Sequence, residues 1–430
     1  MSTFLILDLL GMTLAMVLGV PVVYAVIGAA LVYFLGHPDL STLVMMQQIQ
    51  TALRSFPLLA IPFFILAGTV MARGGIAEKI MSFAYVLVGH WRGGLAQVGV
   101  LNSLVMGSMS GSAVADAAVD SRILVPQMRK HGYSLGFSAA IAASSSVIAP
   151  ILPPSTSLIL YGLLGQVSVA ALFLGGILPA FLIAVGLMLV VAVISRVRKY
   201  GSVRDHKSSW GEKGRALVDC FWALMMPVIL VGGIRTGMFT ITELAALAAV
   251  YTIVVSMFIY RAMSLRDFWD VLKESARTSA TVLIIIGASG AFSYIFAIEQ
   301  VPLNIITWLS GLSDNPVVIL LVVCLGLTLL GMVIEGAAIM IIGAPILVSV
   351  ATHFGVDPVH MGVLVVVTLT LSTLTPPVGI VMFTVCSMTG CKIGAFLREM
   401  APFYLVLFSI LVLLVLFPQI ITTIPAWLSR

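Results

Sequence analysis

Long apolar runs constrain this chain more than any other feature of its sequence. Nearly continuous runs cover residues 4–34, 217–234, 244–260 and 404–417, and each reaches or approaches the ~20 residues that a helix needs to span a bilayer. Only 9% of the residues are charged, whereas a soluble domain has about 25%. Because the runs do not alternate with a period of two, helices must satisfy the backbone within the membrane. We therefore predict an all-α integral membrane protein.

Prolines and acids recur at fixed offsets along the chain, which indicates an internal repeat. Proline is costly inside a membrane helix unless the freed backbone groups are used, so two Pro-Pro pairs at one offset are not expected by chance. The recurring residues are Asp116 with Glu335 and Pro126 with Pro345 at an offset of 219, then Pro153-Pro154 with Pro376-Pro377 and Pro179 with Pro402 at an offset of 223.

The charges of the connecting segments indicate how the two halves are oriented. Residues 129–131 read Arg-Lys-His, whereas the corresponding residues 352–358 contain no Lys or Arg. Conversely, residues 161–176 contain neither, and the corresponding residues 390–399 carry one Lys and one Arg. Since positive charge marks the cytoplasmic side, corresponding segments lie on opposite sides of the membrane. We therefore predict an inverted-topology repeat.

The repeat predicts the domain organisation. Residues 1–200 form the first inverted repeat, residues 201–216 a cytoplasmic linker, and residues 217–430 the second inverted repeat. The predicted re-entrant hairpins are 95–130 and 317–352, the broken helices 134–165 and 358–390, and the remaining spans 4–20, 21–36, 56–73, 178–197, 217–234, 242–260, 278–298 and 402–425. With the linker in the cytoplasm, all but three of the 22 Lys and Arg lie on the cytoplasmic side and both termini lie outside.

Three segments between the spans are amphipathic. Residues 77–90, 264–278 and 391–400 mix apolar and charged residues at helical spacing. Arms along the membrane interface and ordinary loop helices both fit this pattern.

Two kinds of segment predict a binding site at membrane depth. The hairpin turn Gly107–Asp116 combines glycines with small hydroxyl residues, and Ala149–Ser157 cannot be a continuous helix because its prolines remove backbone donors. A hairpin tip facing an unwound helix offers free carbonyls and half-helix N-termini, which suit an alkali cation or an anion. In the second half, we expect the hairpin tip Gly331–Gly336 to face the segment Leu371–Gly379. This tip is more apolar than the tip of the first hairpin.

Asp116 and Glu335 are the repeat-related acids of the two hairpins. An ionised carboxylate costs at least ~2.5–3.5 kcal/mol at the centre of a membrane helix, so it normally has a partner or a role. Cation binding, proton coupling and capping of the second hairpin arm are the alternatives. For Asp120 and Arg122 we predict a local ion pair. Residues 144–146, three serines, either allow close helix packing or line the cation site.

Four motifs connect the sequence to a known family. They read LAIPFF at 59–64, SGSAVAD at 110–116, APILPPS at 149–155 and LTPPVG at 374–379. With these motifs, the chain resembles the large membrane subunit of tripartite ATP-independent periplasmic (TRAP) transporters over residues 10–420. The resemblance implies an elevator-type, sodium-coupled transporter of the bacterial inner membrane, multi-pass, with periplasmic termini. It also implies a separate small four-helix membrane subunit, a periplasmic substrate-binding protein, contact with membrane lipid, and no nucleic acid.

The resemblance carries site residues over by position. The implied Na⁺ ligands are Ser110, Ser112, Asp116 and Pro150 in the first half, and Glu335, Thr373, Thr375, Pro376 and Gly379 in the second. The implied substrate contacts are Ser155, Ser157, Thr375 and Gly379. The chain departs from many family members at 335–338, where it reads Glu-Gly-Ala-Ala instead of Asp followed by a Thr-Pro-like turn.

Two functions are open on the sequence. The first is sodium-coupled secondary import of a small organic anion, a C4-dicarboxylate or a sialic-acid-like sugar acid, delivered by a periplasmic binding protein. The alternative is a standalone sodium- or proton-coupled carboxylate transporter without a binding protein. An enzyme is not predicted, because the sequence shows no nucleophile–base or metal-ligand pair.

Overall fold

The structure, a computed structural model, describes residues 3–203 and 206–428, and the side chains of all of these except residues 3, 17, 108–110 and 428. The described residues fold into helices joined by short connections. Seven helical segments among them are long and apolar enough to cross a membrane: Phe56–Arg73, Val169–Val197, Trp210–Thr236, Ile241–Ile259, Leu265–Ile298, Gly336–His353 and Ile393–Leu416. The prediction of an all-α membrane protein is confirmed.

Ten helices make up the part of the chain before the linker. They are α1 Thr3–Val17, α2 Val22–Gly36, α3 Thr42–Leu53, α4 Ala60–Arg73, α5 Ile76–Val88, α6 Gly94–Ser110, α7 Ala113–Lys130, α8 Leu135–Ser146, α9 Thr156–Leu164 and α10 Val169–Val197. On α10, Val185, Leu189 and Val193 are each more than half exposed. These side chains are spaced by one helical turn, so a single apolar face is available to lipid.

Ten further helices follow the linker. They are α11 Trp210–Thr236, α12 Ile241–Val254, α13 Leu265–Ile298, α14 Val301–Ser310, α15 Pro316–Gly331, α16 Gly336–His353, α17 Pro358–Ser372, α18 Ile380–Thr389, α19 Ile393–Leu416 and α20 Gln419–Leu428. Both ends of α16 lie 223 residues after the ends of α7. The offset of 223 therefore applies to the second arms of the two hairpins.

The helices pack in two groups. The framework group is α1–α4 with α11–α13, in which α4 packs on α12 and α13, and α3 packs on α13. The hairpin group is α6–α9 with α15–α18, and it is braced by α10 and α19. Within the hairpin group the halves are interlocked, because α7 packs on α18 and α16 packs on α9. Helices α5 and α14 connect the two groups along the chain.

Helix α3 was not predicted from the sequence. It begins at Ser41, whose Oγ accepts a hydrogen bond from the Leu43 backbone N–H at 3.2 Å and caps the helix. It packs on α13 at Gly287 and Gly290, where an added Cβ would lie 3.2 Å from Ile49 Cγ2 and 2.7 Å from the Gln48 carbonyl oxygen, respectively. The residues of α3 are more polar than those of a membrane span, so the lengths of the apolar runs did not predict it. The N-cap serine is the signal that predicts the start of this helix.

Four predicted boundaries differ from those of the structure. The amphipathic segments 264–278 and 391–400 are continuous with the following spans in α13 and α19, and α19 ends at Leu416, before α20. Residues 210–216, predicted as linker, are the first turns of α11, where Ser209 and Glu212 form a capping box. At 34 residues, α13 is about 51 Å long, which exceeds the ~30 Å hydrocarbon core of a bilayer.

Close packing of α3 on α13 predicts a stability effect. We expect Gly290→Ala to destabilise the protein by ~1–3 kcal/mol, because the new methyl group would overpack the interface with α3. Gly326→Ala is the matched control, since nothing lies within 4 Å of a Cβ there and alanine favours a helix by ~1 kcal/mol over glycine. Thermal unfolding in detergent measures both variants, and equal melting temperatures would contradict the prediction.

Candidate functional site

A cavity of about 480 Å³ lies between the framework group and the hairpin group. Its framework wall is formed by α4 and α13, and its other walls by both hairpin tips and both broken helices. The N-terminal residues of four helices line it: Ala113 of α7, Thr156 of α9, Gly336 of α16 and Ile380 of α18. Since each helix N-terminus carries partial positive charge and free N–H groups, the hairpin wall favours an anionic ligand.

The first hairpin tip packs tightly on the first broken helix. Gly111 ends α6 in the left-handed conformation, with φ +57, and an added Cβ would lie 2.9 Å from the Pro154 carbonyl oxygen. Thr156 Oγ1 donates a hydrogen bond to the Gly111 carbonyl oxygen at 3.3 Å. The Thr156 side chain therefore satisfies a backbone carbonyl group of the tip.

Ser155 holds the unwound segment of the first broken helix together. Its hydroxyl donates a hydrogen bond to the Pro150 carbonyl oxygen and accepts one from the Leu158 N–H at 3.1 Å. Ser155 is fully buried and does not line the cavity, whereas Pro150 and Ser157 do. The structure thus assigns Ser155 a helix-capping role and places Ser157 where a ligand could reach it.

The second hairpin tip is joined to the second broken helix through the backbone. The Met332 carbonyl oxygen accepts hydrogen bonds from the N–H groups of Val378 at 3.1 Å and Gly379 at 3.3 Å. Gly379 has φ +54, and an added Cβ would lie 2.8 Å from the Thr375 carbonyl oxygen. A residue with a side chain would therefore strain this contact.

Two threonine hydroxyl groups of the second unwound segment already donate their protons to backbone carbonyl oxygens. Thr373 Oγ1 donates to the Thr370 carbonyl oxygen at 2.6 Å, and Thr375 Oγ1 donates to the Ser372 carbonyl oxygen at 2.8 Å. Each oxygen keeps its lone pairs, as a cation ligand requires. Thr373 lines the cavity, whereas Thr375, Pro376 and Gly379 are not among its lining residues.

Glu335 occupies a different hairpin position from Asp116. It is the N-cap of α16, makes no side-chain capping hydrogen bond, and lines the cavity as an exposed residue. The N-cap of α7 is Ser112, which lies 223 residues earlier and also lines the cavity. Pairing Asp116 with Glu335 at an offset of 219 was therefore wrong: the position in α16 that matches Asp116 is the buried apolar Ile339.

Asp116 is buried one turn into α7. Only 1% of its surface is exposed, and neither carboxylate oxygen has a hydrogen-bond partner among the described residues. Ser112 Oγ, and not Asp116, accepts the capping hydrogen bond, from the Ala115 N–H at 3.4 Å. Asp116 therefore does not cap the hairpin arm, and cation binding and proton coupling are the alternatives that stay open for it.

Asp120 differs from Asp116 although it lies one turn further along the same helix. Its carboxylate accepts hydrogen bonds from Asn102 Nδ2 at 3.1 Å, Ser103 Oγ at 3.2 Å and Ser145 Oγ at 3.4 Å. It is fully buried, and the exposed Arg122 is not its partner, so the predicted local ion pair was wrong. Asp120 fastens α6, α7 and α8 to one another.

The structure brings together part of the predicted site. Ser112, Pro150, Ser157, Glu335 and Thr373 line one cavity, and the Ser110 side chain lies outside the described part of the chain. Sequence reasoning missed the framework wall, whose polar lining residues are Thr69, Arg73, Glu274 and Thr278. Their spacing by four residues within otherwise apolar helices is the signal that could have found them.

Two hairpins that meet two broken helices around one cavity, within a helical membrane protein, are typical of membrane transporters. Comparisons with known proteins agree. Residues 9–420 match the family described as "Tripartite ATP-independent periplasmic transporter, DctM component". The chain therefore belongs to the TRAP transporter family as a large permease component, and it is a transporter subunit and not an enzyme.

Curated relatives cover nearly the whole chain. The 2,3-diketo-L-gulonate TRAP transporter large permease protein of Escherichia coli is 35% identical over 96% of each chain. The C4-dicarboxylate TRAP transporter large permease protein of Pseudomonas aeruginosa is 35% identical over 94% of each. The sialic acid TRAP transporter permease protein of Haemophilus influenzae is 33% identical over 99% of this chain but only 68% of its own length.

A solved structure shares the fold. The crystal structure of the Alcanivorax borkumensis YdaH transporter superposes with a TM-score of 0.62, covering 90% of this chain and 87% of that one, at 16% sequence identity. At this low identity the likeness extends to the fold alone. The helical architecture described above is therefore found in another membrane transporter.

The contrast between the two buried aspartates predicts different effects on stability. We expect Asp120→Ala to lower the free energy of unfolding by about 2 kcal/mol or more, because it leaves the buried donors of Asn102 and Ser103 without this acceptor. Asp116→Ala removes a buried carboxylate that no described residue hydrogen-bonds, so it should leave stability unchanged or raise it. Thermal unfolding in detergent distinguishes them, and a loss as large for Asp116→Ala would contradict the assignment.

Proposed function

We propose that this chain is the large membrane subunit of a sodium-coupled secondary transporter that imports a small organic anion delivered by a periplasmic substrate-binding protein. The anion is a C4-dicarboxylate or a sialic-acid-like sugar acid, the classes named in two of its relatives. The observation that carries the proposal is the single cavity that both hairpin tips and both broken helices share with α4 and α13.

The cavity suits a small polar anion. Its volume of about 480 Å³ lies within the ~300–1,000 Å³ typical of small-molecule sites. Four helix N-termini and the hydroxyl groups of Ser112 and Ser157 line it. N–H groups at helix ends and hydroxyl groups both donate hydrogen bonds to carboxylates. This donor set supports an organic acid as substrate.

Sodium coupling is supported by the oxygen atoms beside the cavity. Asp116 presents two bare carboxylate oxygens one turn behind Ser112, which itself lines the cavity. A buried carboxylate without a hydrogen-bond donor is stabilised by a bound cation. In the second half, Thr373 and Thr375 offer hydroxyl oxygens with free lone pairs. We propose that these residues bind the coupling ions, together with backbone carbonyl groups of the unwound segments.

Division into two packed groups supports an elevator-type movement. The hairpin group is interlocked through α7 with α18 and α16 with α9, so it can move as one body. The short helices α5 and α14 connect it to the framework group. We propose that the framework group stays fixed while the hairpin group carries substrate and ions across the membrane. In this proposal the hairpins are re-entrant, the two halves are inverted repeats, and both termini lie in the periplasm.

The partners follow from the same family assignment. The Haemophilus influenzae relative is longer than this chain, which covers 68% of it. We propose that this protein works with a separate small four-helix membrane subunit and with the binding protein in the inner membrane of a bacterium.

Reconstitution tests the proposal. The chain is placed in proteoliposomes with its small subunit and its binding protein, and uptake of labelled succinate and N-acetylneuraminate is followed under a sodium gradient at fixed pH. Uptake should require both the sodium gradient and the binding protein. Uptake that ignores sodium and follows a pH gradient would contradict sodium coupling. Uptake without the binding protein would favour the standalone carboxylate transporter.

The bare carboxylate of Asp116 predicts a specific loss of transport. We expect Asp116→Ala to abolish sodium-driven uptake while the protein still inserts and folds, because the coupling ion loses its buried charge partner. Asp314→Ala, an exposed acid between α14 and α15, is the control and should transport normally. Initial uptake rates at matched protein density measure the effect, and a normal rate for Asp116→Ala would remove this residue from the site.

A further inference from the structure

A charged pair lies on the framework wall of the cavity. Arg73, the last residue of α4, places Nη2 2.6 Å from Oε2 of Glu274 on α13. Both residues line the cavity, and among its described lining residues Arg73 is the only one with a positive charge. The helix N-termini that favour anions all lie on the hairpin wall, so Arg73 is the corresponding group on the opposite wall.

The pair is weak enough to exchange partners. The side chains of Arg73 and Glu274 are 54% and 47% exposed, and ion pairs with this exposure contribute little to stability. A guanidinium carries five N–H donors in a planar fork that matches a carboxylate. A second carboxylate can therefore approach Arg73 at small cost, either beside Glu274 or in its place.

The position of Arg73 restricts where its head can go. The Gly74 N–H donates to the Val70 carbonyl oxygen at 2.7 Å and closes α4 directly after Arg73. An added Cβ on Gly74 would lie 2.1 Å from Ser256 Oγ, so this end of α4 is packed against neighbouring residues. The backbone of Arg73 is thereby held, and the guanidinium moves only through its side-chain rotamers.

The charges of the residues that line the cavity indicate a function for Arg73. The described lining residues carry two negative charges, on Glu274 and Glu335, and one positive charge, on Arg73. An organic anion entering this cavity is repelled by both glutamates. Among the described residues of the framework wall, only Arg73 carries a positive charge that can attract the anion.

We propose that Arg73 binds a carboxylate of the transported anion and that Glu274 competes with the anion for the guanidinium. The inference rests on the proposed function, since it takes an organic anion as substrate. Glu274 holds the guanidinium when the cavity is empty and recaptures it when the anion leaves. Because Arg73 lies on the framework group and Ser157 on the hairpin group, the anion contacts both groups only when they are apposed as in this structure.

A set of variants tests the proposal in the reconstituted system with binding protein in excess, using labelled succinate and N-acetylneuraminate as probes. We expect Arg73→Gln to raise the half-saturation concentration for the transported anion by about tenfold or more, since a charged hydrogen bond is lost, with little change in maximal rate. Arg73→Lys should fall between wild type and Arg73→Gln, because lysine keeps the charge but not the planar fork. Glu274→Gln should lower the half-saturation concentration severalfold.

The double variant separates binding from a structural role. If Arg73 only neutralised Glu274, Arg73→Gln with Glu274→Gln would restore wild-type kinetics, and this result would overturn the proposal. If Arg73 binds the anion, the double variant stays impaired in half-saturation. Arg198→Gln is the matched control: its pair with Glu399, 2.7 Å apart, lies away from the cavity lining, so it should leave half-saturation unchanged.

Uptake by wild type and by Arg73→Gln together distinguishes a wrong proposed function from a wrong role for Arg73. If wild type takes up neither probe under a sodium gradient, the proposed function fails and the Arg73 assignment falls with it. If wild type transports an anion and Arg73→Gln transports it with unchanged half-saturation, only the Arg73 assignment is overturned.

Discussion

The need to satisfy every backbone polar group inside a bilayer governs this structure. Continuous helices meet the need by themselves, but the two broken helices do not, because prolines interrupt them at 150–154 and 376–377. Hydrogen bonds join each break to a hairpin tip: Thr156 Oγ1 donates to the Gly111 carbonyl oxygen, and the backbone amides of Val378 and Gly379 donate to the Met332 carbonyl oxygen. Each tip therefore lies against a break, and the cavity forms where tips and breaks meet.

The same requirement separates residues that hold the site together from residues that are available to a ligand. Ser155 and Gly379 complete the backbone of the unwound segments, and Asp120 collects three donors from α6 and α8. Ser157 and Thr373, by contrast, reach the cavity. A polar residue at membrane depth is thus not by itself a ligand residue, since hydrogen bonding within the protein accounts for many of them.

Much of the site could be predicted from the sequence, because its signals are local. Prolines within apolar runs mark the breaks, and glycines with small hydroxyl residues mark the tip of the first hairpin. The different environments of Asp116 and Asp120 could not be predicted from the local sequence. Both are acids on one helix, four residues apart, yet one accepts three hydrogen bonds and the other none. The donors to Asp120 lie on α6 and α8, and no pattern within α7 reveals them.

The sequence by itself determined that this chain is a helical membrane protein, where its helices break and which family it belongs to. These properties depend on the length of apolar runs, on proline and glycine, and on short motifs. Only the tertiary structure decided that Glu335 corresponds to Ser112, that Asp120 is a structural acid, and that Arg73 and Glu274 face the hairpin tips across the cavity. Each of these depends on which helices pack together, and α4 meets α13 across nearly 200 residues of intervening chain.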